Sequence, residues 1–222
     1  MELHLPPEPA DDDKAAWRRE LRAARRALVD EQGSDGRARQ GEELTTGLLR
    51  WLQPYAAGLG RPDLSGWSVT AYTAMPSEPP TEHLLATLAE LGVAVWLPVT
   101  LSAGRMGWRL AGDPAGEGAR TDPLQPDAEA VCQGPEVLDQ VDVALIPGLA
   151  VSHRGCRLGQ GGGYYDRVLP VLRQHPSPAP VITVLHDHEW LPQVPGQPHD
   201  ALVDAVLSTT GVQWVEQLTP RG

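Results

Sequence analysis

Arg157-Leu158-Gly159-Gln160-Gly161-Gly162-Gly163-Tyr164-Tyr165-Asp166 is the stretch on which the reading of this chain turns. Four of its ten residues are glycine, three of them consecutive, set between an arginine and an aspartate. Glycine tolerates φ > 0 and lets another group come close to bare backbone. Just upstream, residues 141–146 read as a buried strand. Just downstream, residues 164–172 read as a helix with Val168, Leu169, Val171 and Leu172 available for an apolar face. Strand, glycine loop and helix in that order aim backbone N–H groups and a positive helix end at an anion, most often a phosphate. Arg157 adds a forked cation, and Asp166 could hold a metal ion that travels with the phosphates. The spacing matches neither a Walker loop nor a dinucleotide fingerprint. The alternative is a glycine-rich connection that merely turns the chain onto a helix.

Outward from this segment, strands alternate with helices. Residues 14–29 read as a helix with Trp17, Leu21, Ala24 and Leu28 on one face and the arginines mostly off it; Asp11 to Asp13 suit its N-terminus. A second helix is expected over 37–52, with Leu44, Leu48 and Leu49 as core. Residues 68–72 read as a strand. Thr81 caps a helix over 81–91 with a Leu84, Leu85, Leu88, Leu91 stripe, and 93–97 is a buried strand, completing a β-α-β unit. The glycine- and proline-rich 102–135 region is expected to be an extended loop with one short strand at 106–110. Strands at 181–185 and 203–207 and a short terminal helix at 212–218 complete the pattern. It predicts an α/β fold, a three-layer α/β/α arrangement with a mostly parallel sheet. In such sheets ligands sit beyond the carboxyl ends of the strands. Residues 1–13 read as a disordered acidic leader and 14–222 as a single α/β domain.

Composition narrows the function. A net charge of −11 argues against non-specific nucleic-acid binding. No apolar run approaches the length of a membrane span, and no signal-peptide layout opens the chain. Cys132 and Cys156 are too few for a disulfide framework or a zinc site, which fits a reduced cytoplasmic protein. Arg157 beside Cys156 could lower the thiol pKa, yet Cys156 reads as a loop residue and not a nucleophile. Neither the histidines nor the His186-x-His188 pair has a convincing metal spacing.

Residues 147–166, PGLAVSHRGCRLGQGGGYYD, resemble the PGLAFD-xx-G-x-RLGxGxGYYD segment of the 5-formyltetrahydrofolate cyclo-ligase family, also called 5,10-methenyltetrahydrofolate synthetase. The likeness continues in a K-xxx-R at Lys14 and Arg18, in Tyr72 followed by Glu78 before a helix, and in a P-xxx-HD-xxx-D at Pro195, His199, Asp200 and Asp204. It departs where Val151-Ser152 replaces Phe-Asp and where Val184-Leu185-His186-Asp187 replaces an apolar Gly-x-Ala-Phe. It departs again at residues 120–126, which lack an aromatic residue usual in the long loop.

The resemblance implies an enzyme that uses ATP and Mg²⁺ to convert 5-formyltetrahydrofolate to 5,10-methenyltetrahydrofolate, releasing ADP and phosphate. By the same resemblance, Lys14, Arg18, Arg157, Leu158, Gly159, Gln160, Gly161, Gly162, Gly163, Tyr164 and Tyr165 bind ATP. Arg157 and Tyr165 are the catalytic candidates. Tyr72, Glu78, Gln160, Gly161, Gly162, Gly163 and Tyr164 bind the folate, with Glu78 on the polar edge of the pterin; Tyr72 either lines that pocket or packs at a strand end. Asp166 and Asp200 hold Mg²⁺, directly or through water. The partner is a small-molecule substrate, with no nucleic acid and no membrane. Two other readings stay open: a non-catalytic nucleotide-binding or regulatory protein that kept the phosphate loop but lost the folate pocket, and a sugar-phosphate isomerase or transferase on the same architecture.

Overall fold

The structure, a computed structural model, describes residues 13–101, 104–113, 132–175, 179–196 and 200–216. The acidic leader up to residue 12, most of the 102–135 loop with its missing aromatic, and His199 lie outside the described residues.

Helix α1 (Lys14–Gly58) opens the fold, and the Asp13 side chain accepts a hydrogen bond from the Ala16 N–H at 2.9 Å, as the aspartate run suggests. The two expected helices are one element with a kink at Gly33, where φ is 60° and ψ −169°. Its first half sets Leu21 against Leu149, Leu158 and Leu191; its second half sets Leu44, Leu48 and Leu52 on the main sheet. The reading that kept arginines off the apolar face needs one correction, because Arg25 is wholly buried there.

Strand β1 (Ser68–Thr70), α2 (Glu82–Glu90) and β2 (Ala94–Thr100) form the expected parallel β-α-β unit, with Ser68 opposite Ala94. Thr81 occupies the position before α2 but caps nothing; its hydroxyl donates to the Tyr72 carbonyl at 2.8 Å. Leu91, expected in the stripe, is exposed. Strand β3 (Met106–Leu110) returns antiparallel to β2. After β4 (Val143–Pro147) come two short strands, β5 (Ala150–Ser152) and β6 (Arg157–Leu158), then α3 (Tyr164–Gln174), β7 (Val181–Val184), β8 (Trp190–Leu191), β9 (Ala205–Ser208) and β10 (Gly211–Trp214). The main sheet runs β10-β9-β7-β4-β1-β2-β3, parallel except at its two edge strands. A small second sheet, β6-β5-β8, occupies what reads as loop in the sequence.

Alternation along β4 divides the core. Val143 and Leu145 face α1 and α2, while Ala144 and Ile146 face Val168, Leu169 and Leu172 of α3. Both faces are therefore covered, as a parallel sheet requires, and each fully buried leucine contributes about 1.5–3 kcal/mol. The expected three-layer α/β/α arrangement is the observed one. The expected terminal helix is not: residues 211–214 pair with β9, Val212 opposite Leu207. Gly47 of α1 lies so near this edge that a β-carbon there would stand 2.8 Å from the Gly211 Cα.

Candidate functional site

Strands β1, β4 and β7 run parallel, so the segments leaving their carboxyl ends emerge together. They deliver Tyr72, Gly148 and His186 to one end of the sheet. The glycine loop follows the β5–β6 hairpin and closes on α3. Gly161 has φ 106° and Gly163, the residue before the helix, has φ 65°. No side chain caps this helix start, so its first-turn N–H groups lack an intrahelical partner. Gly162 does not take a positive φ; a β-carbon there would instead meet the Tyr164 ring at 2.9 Å.

One face of α1 holds the loop. Arg18 Nε donates to the Gly159 carbonyl at 2.9 Å, and Arg22 donates to the Gln160 carbonyl at 2.6 Å and to its side-chain oxygen at 3.2 Å. Both peptides are trans, so the N–H groups of Gln160 and Gly161 point the opposite way, off α1. Lys14 pairs with Asp200 at 2.8 Å. Lys14 and Arg18 follow from the K-xxx-R resemblance; Arg22 does not. Its signal is nevertheless present, since residues four apart on a helix share a face.

Arg157 sits in a slot. Gly148 and Gly159 flank it, and a β-carbon at Gly159 would stand 2.8 Å from Arg157 Nη1. Its guanidinium donates to the Pro147 carbonyl at 3.1 Å and to Asp166 at 2.6 Å, and lies over the Tyr165 ring with 5.8 Å to the centroid. Arg157 is buried while the Asp166 side chain is 60% exposed, so the cation is fixed and the carboxylate borders solvent. Among the described residues no group of three or more His, Cys, Asp or Glu could by itself hold a metal ion. Asp166 pairs with Arg157 and Asp200 with Lys14, so each carboxylate stands beside a cation. Either carboxylate has the chemistry Mg²⁺ takes, since that ion prefers one or two carboxylates together with phosphate oxygens.

Glu78 is buried at 3% exposure. Its Oε2 accepts from the Met75 N–H at 3.0 Å, and its Oε1 accepts from Gln160 Nε2 at 3.3 Å. Tyr72 and Tyr165 bring buried hydroxyls with no protein partner. Burial pushes both phenols above their ordinary range, and the Glu78 charge pushes them further. Both remain protonated donors. The structure therefore brings Tyr72, Glu78, Gln160 and Tyr165 to one place.

Beneath the loop, Arg25 and Glu189 form a fully buried pair, with Nε to Oε1 at 2.5 Å and Nη2 to Oε2 at 2.8 Å. Arg25 also donates to the Gly148 carbonyl. Losing either partner would leave an uncompensated buried charge, a cost of about 3–5 kcal/mol. Neither residue stands out in the sequence, because a contact spanning 164 positions has no local signature. Cys156 is half-buried, and burial together with Asp200 raises its thiol pKa, in keeping with a non-nucleophilic role. It lines a cleft of about 430 Å³ with Ser152, His153, Gln193, Val194 and Glu216.

Residues 10–209 match the model of the 5-formyltetrahydrofolate cyclo-ligase family. The chain is 36% identical to the 5-formyltetrahydrofolate cyclo-ligase of Mycolicibacterium smegmatis over 177 residues, 75% of this chain and 84% of that one. It is 27% identical to the Escherichia coli protein of that name over 197 residues, 87% of this chain and all of that one. The fold resembles the 5,10-methenyltetrahydrofolate synthetase of Mycoplasma pneumoniae, with a TM-score of 0.63 at 20% identity over 89% of this chain and 99% of that one. It resembles that of Aquifex aeolicus with a TM-score of 0.64 at 22% identity over 94% and 96%. With a family match over residues 10–209 and 36% identity to a relative across three quarters of its length, the chain belongs to the 5-formyltetrahydrofolate cyclo-ligase family.

Proposed function

We propose that this protein converts 5-formyltetrahydrofolate to 5,10-methenyltetrahydrofolate at the expense of ATP. One observation carries the reading: Gln160, inside the glycine loop, touches Glu78 at 3.3 Å. A nucleotide held by the loop and a folate held by Glu78 would meet within one side chain of each other.

The chemistry needs alignment and charge neutralisation more than covalent help. The formyl oxygen attacks the γ-phosphorus and ADP leaves. Nitrogen 10 then attacks the activated carbon and loses its proton. Phosphate departs as the ring closes. Lys14, Arg18, Arg157, the loop amides and the open start of α3 supply positive potential for the phosphates. Arg157 is the best placed of these, because its slot fixes the guanidinium before any ligand arrives. The Tyr165 hydroxyl is a protonated donor and can stabilise the charge that develops on a phosphoryl or formyl oxygen. Glu78 accepts paired N–H donors from the pterin edge, and Tyr72 donates beside it.

Asp166 and Asp200 would hold Mg²⁺, which neutralises phosphate charge. Lys14, the present partner of Asp200, would then turn to a phosphate oxygen, while Arg157 would keep its slot and the exposed Asp166 carboxylate would shift from it to the metal. With two half-buried thiols, neither in a disulfide, and a strongly acidic chain, the reading places the protein in the cytoplasm without a nucleic-acid partner. No described helix is long and apolar enough to cross a membrane. The test is ADP release from Mg-ATP with and without 5-formyltetrahydrofolate. Folate-dependent release supports the reading, and release indifferent to the folate refutes it.

A further inference from the structure

The segment after β7 carries a buried histidine to which the proposed reaction gives no task. His186 is 1% exposed, and both ring nitrogens are engaged. Nδ1 lies 2.9 Å from Gln40 Nε2 on α1, and Nε2 lies 3.2 Å from the Ser77 carbonyl. The Gln40 amide nitrogen can only donate, so Nδ1 accepts and Nε2 carries the proton that Ser77 receives. Burial lowers the His186 pKa and so favours this neutral form. The ring is further fixed from below: its backbone N–H donates to Glu189 Oε2 at 3.0 Å, and Glu189 is locked by Arg25.

Ser77 directly precedes Glu78. Two bonds shape the turn from within: the Glu78 N–H to the Met75 carbonyl at 2.9 Å, and the Met75 N–H to Glu78 Oε2 at 3.0 Å. They set its form but not its place. Three others tie it to the rest of the fold: Arg37 to the Glu78 carbonyl at 3.1 Å, Gln160 Nε2 to the Glu78 carboxylate at 3.3 Å, and His186 to the Ser77 carbonyl; of these only the Gln160 bond sits where the ligands would bind. The His186 tie reaches back through Glu189 and Arg25 to the Gly148 carbonyl at the end of β4. Slack at Ser77 would move the Glu78 carboxylate relative to the glycine loop, although Glu78 itself would be intact.

We infer that His186 is a positioning residue for the Glu78 carboxylate that binds the folate, its Nε2–H holding the Ser77–Glu78 turn at the distance from the glycine loop that two-substrate binding requires. The inference rests on the reading of Glu78 as the folate ligand. It predicts an atom-specific pattern. The amide of glutamine reaches the place of Nε2 and can keep the bond to Ser77. The amide of asparagine reaches only the place of Nδ1 and keeps the bond to Gln40 instead.

The test is steady-state kinetics on His186→Gln, His186→Asn and Gln40→Met, with Glu78→Gln alongside and Mg-ATP affinity measured by calorimetry. His186→Asn is expected to raise KM for 5-formyltetrahydrofolate by roughly tenfold or more, since a small misplacement of a binding group is costly. His186→Gln should stay within about threefold of wild type, and Gln40→Met should fall between the two. Mg-ATP affinity should be unchanged throughout. If His186→Gln and His186→Asn shift KM equally, in step with their loss of melting temperature, the residue is only structural and the inference fails. It fails equally if Glu78→Gln raises KM while folded His186→Asn does not. Should His186→Asn not fold, Gln40→Met decides alone, and an unchanged folate KM in it overturns the inference. If Glu78→Gln leaves KM unchanged, the assignment of Glu78 falls and this inference with it.

Discussion

Replacing Arg157 with methionine isolates the role of its guanidinium. Methionine keeps an unbranched stem in the slot between Gly148 and Gly159 and retains contact with the Tyr165 ring. It loses the bond to the Pro147 carbonyl and the ion pair with Asp166. The first loss leaves a partly buried carbonyl without its donor, a cost of about 1–3 kcal/mol. The second is worth little, about 0–1 kcal/mol, because the Asp166 side chain is 60% exposed. Together these leave a protein of ordinary stability, about 5–15 kcal/mol, folded. Binding should suffer separately. One charge-assisted contact to a phosphate is worth about 1.5–3 kcal/mol, or roughly 10- to 150-fold in Mg-ATP affinity. Calorimetry at a temperature well below the melting transition measures it. A folded Arg157→Met protein that binds Mg-ATP as tightly as wild type would refute the phosphate role.

Gly161→Ala forces a residue with a side chain to φ 106°, a strain of about 1–3 kcal/mol. It should lower kcat/KM more than Gly162→Ala, which asks only the Tyr164 ring to shift; the reverse order in steady-state assays would contradict the loop geometry. Lys14 is the only lysine, so an amine-directed acylating reagent reports on it by peptide mapping. Mg-ATP should slow its modification several-fold, and unchanged modification would remove Lys14 from the phosphate site. Burial lowers the pKa of both His186 and His188. Below the unfolded value of about 6.5 the unfolded chain takes up protons that the folded one refuses. Stability should therefore be flat above about pH 6.5 and fall below it, by at most about 1.4 kcal/mol per pH unit per histidine. Urea titrations showing no loss down to pH 5.5 would mean that the folded rings accept protons freely.

The parallel core is legible because its strands are apolar runs separated by helices with a clear stripe. The rest is hidden for identifiable reasons. Strands β5, β6 and β8 are two or three residues long, too short for periodicity to register. Residues 212–218 hold enough apolar side chains to suggest a helix, but Val212, Gln213 and Trp214 alternate after a Thr209-Thr210-Gly211 turn, which is a hairpin signature. The glycine loop is readable by its chemistry and spacing, and Lys14 and Arg18 only through the family resemblance. Arg25, Glu189, Gln40 and His186 are not, since each meets its partner only after the chain has folded. The triple glycine misleads in one detail: Gly161 and Gly163 carry the positive φ, and the residue between them does not.

The most direct measurement is absorbance in the methenyl-folate band after mixing the protein with Mg-ATP and 5-formyltetrahydrofolate, wild type beside Glu78→Gln. We expect wild type to develop the band in step with ADP. Glu78→Gln should bind Mg-ATP normally yet turn over at least about tenfold more slowly, because its amide presents a donor where the pterin also presents one. A wild-type protein that binds Mg-ATP but never develops the band would contradict the enzyme assignment and favour a nucleotide-binding protein without a folate reaction.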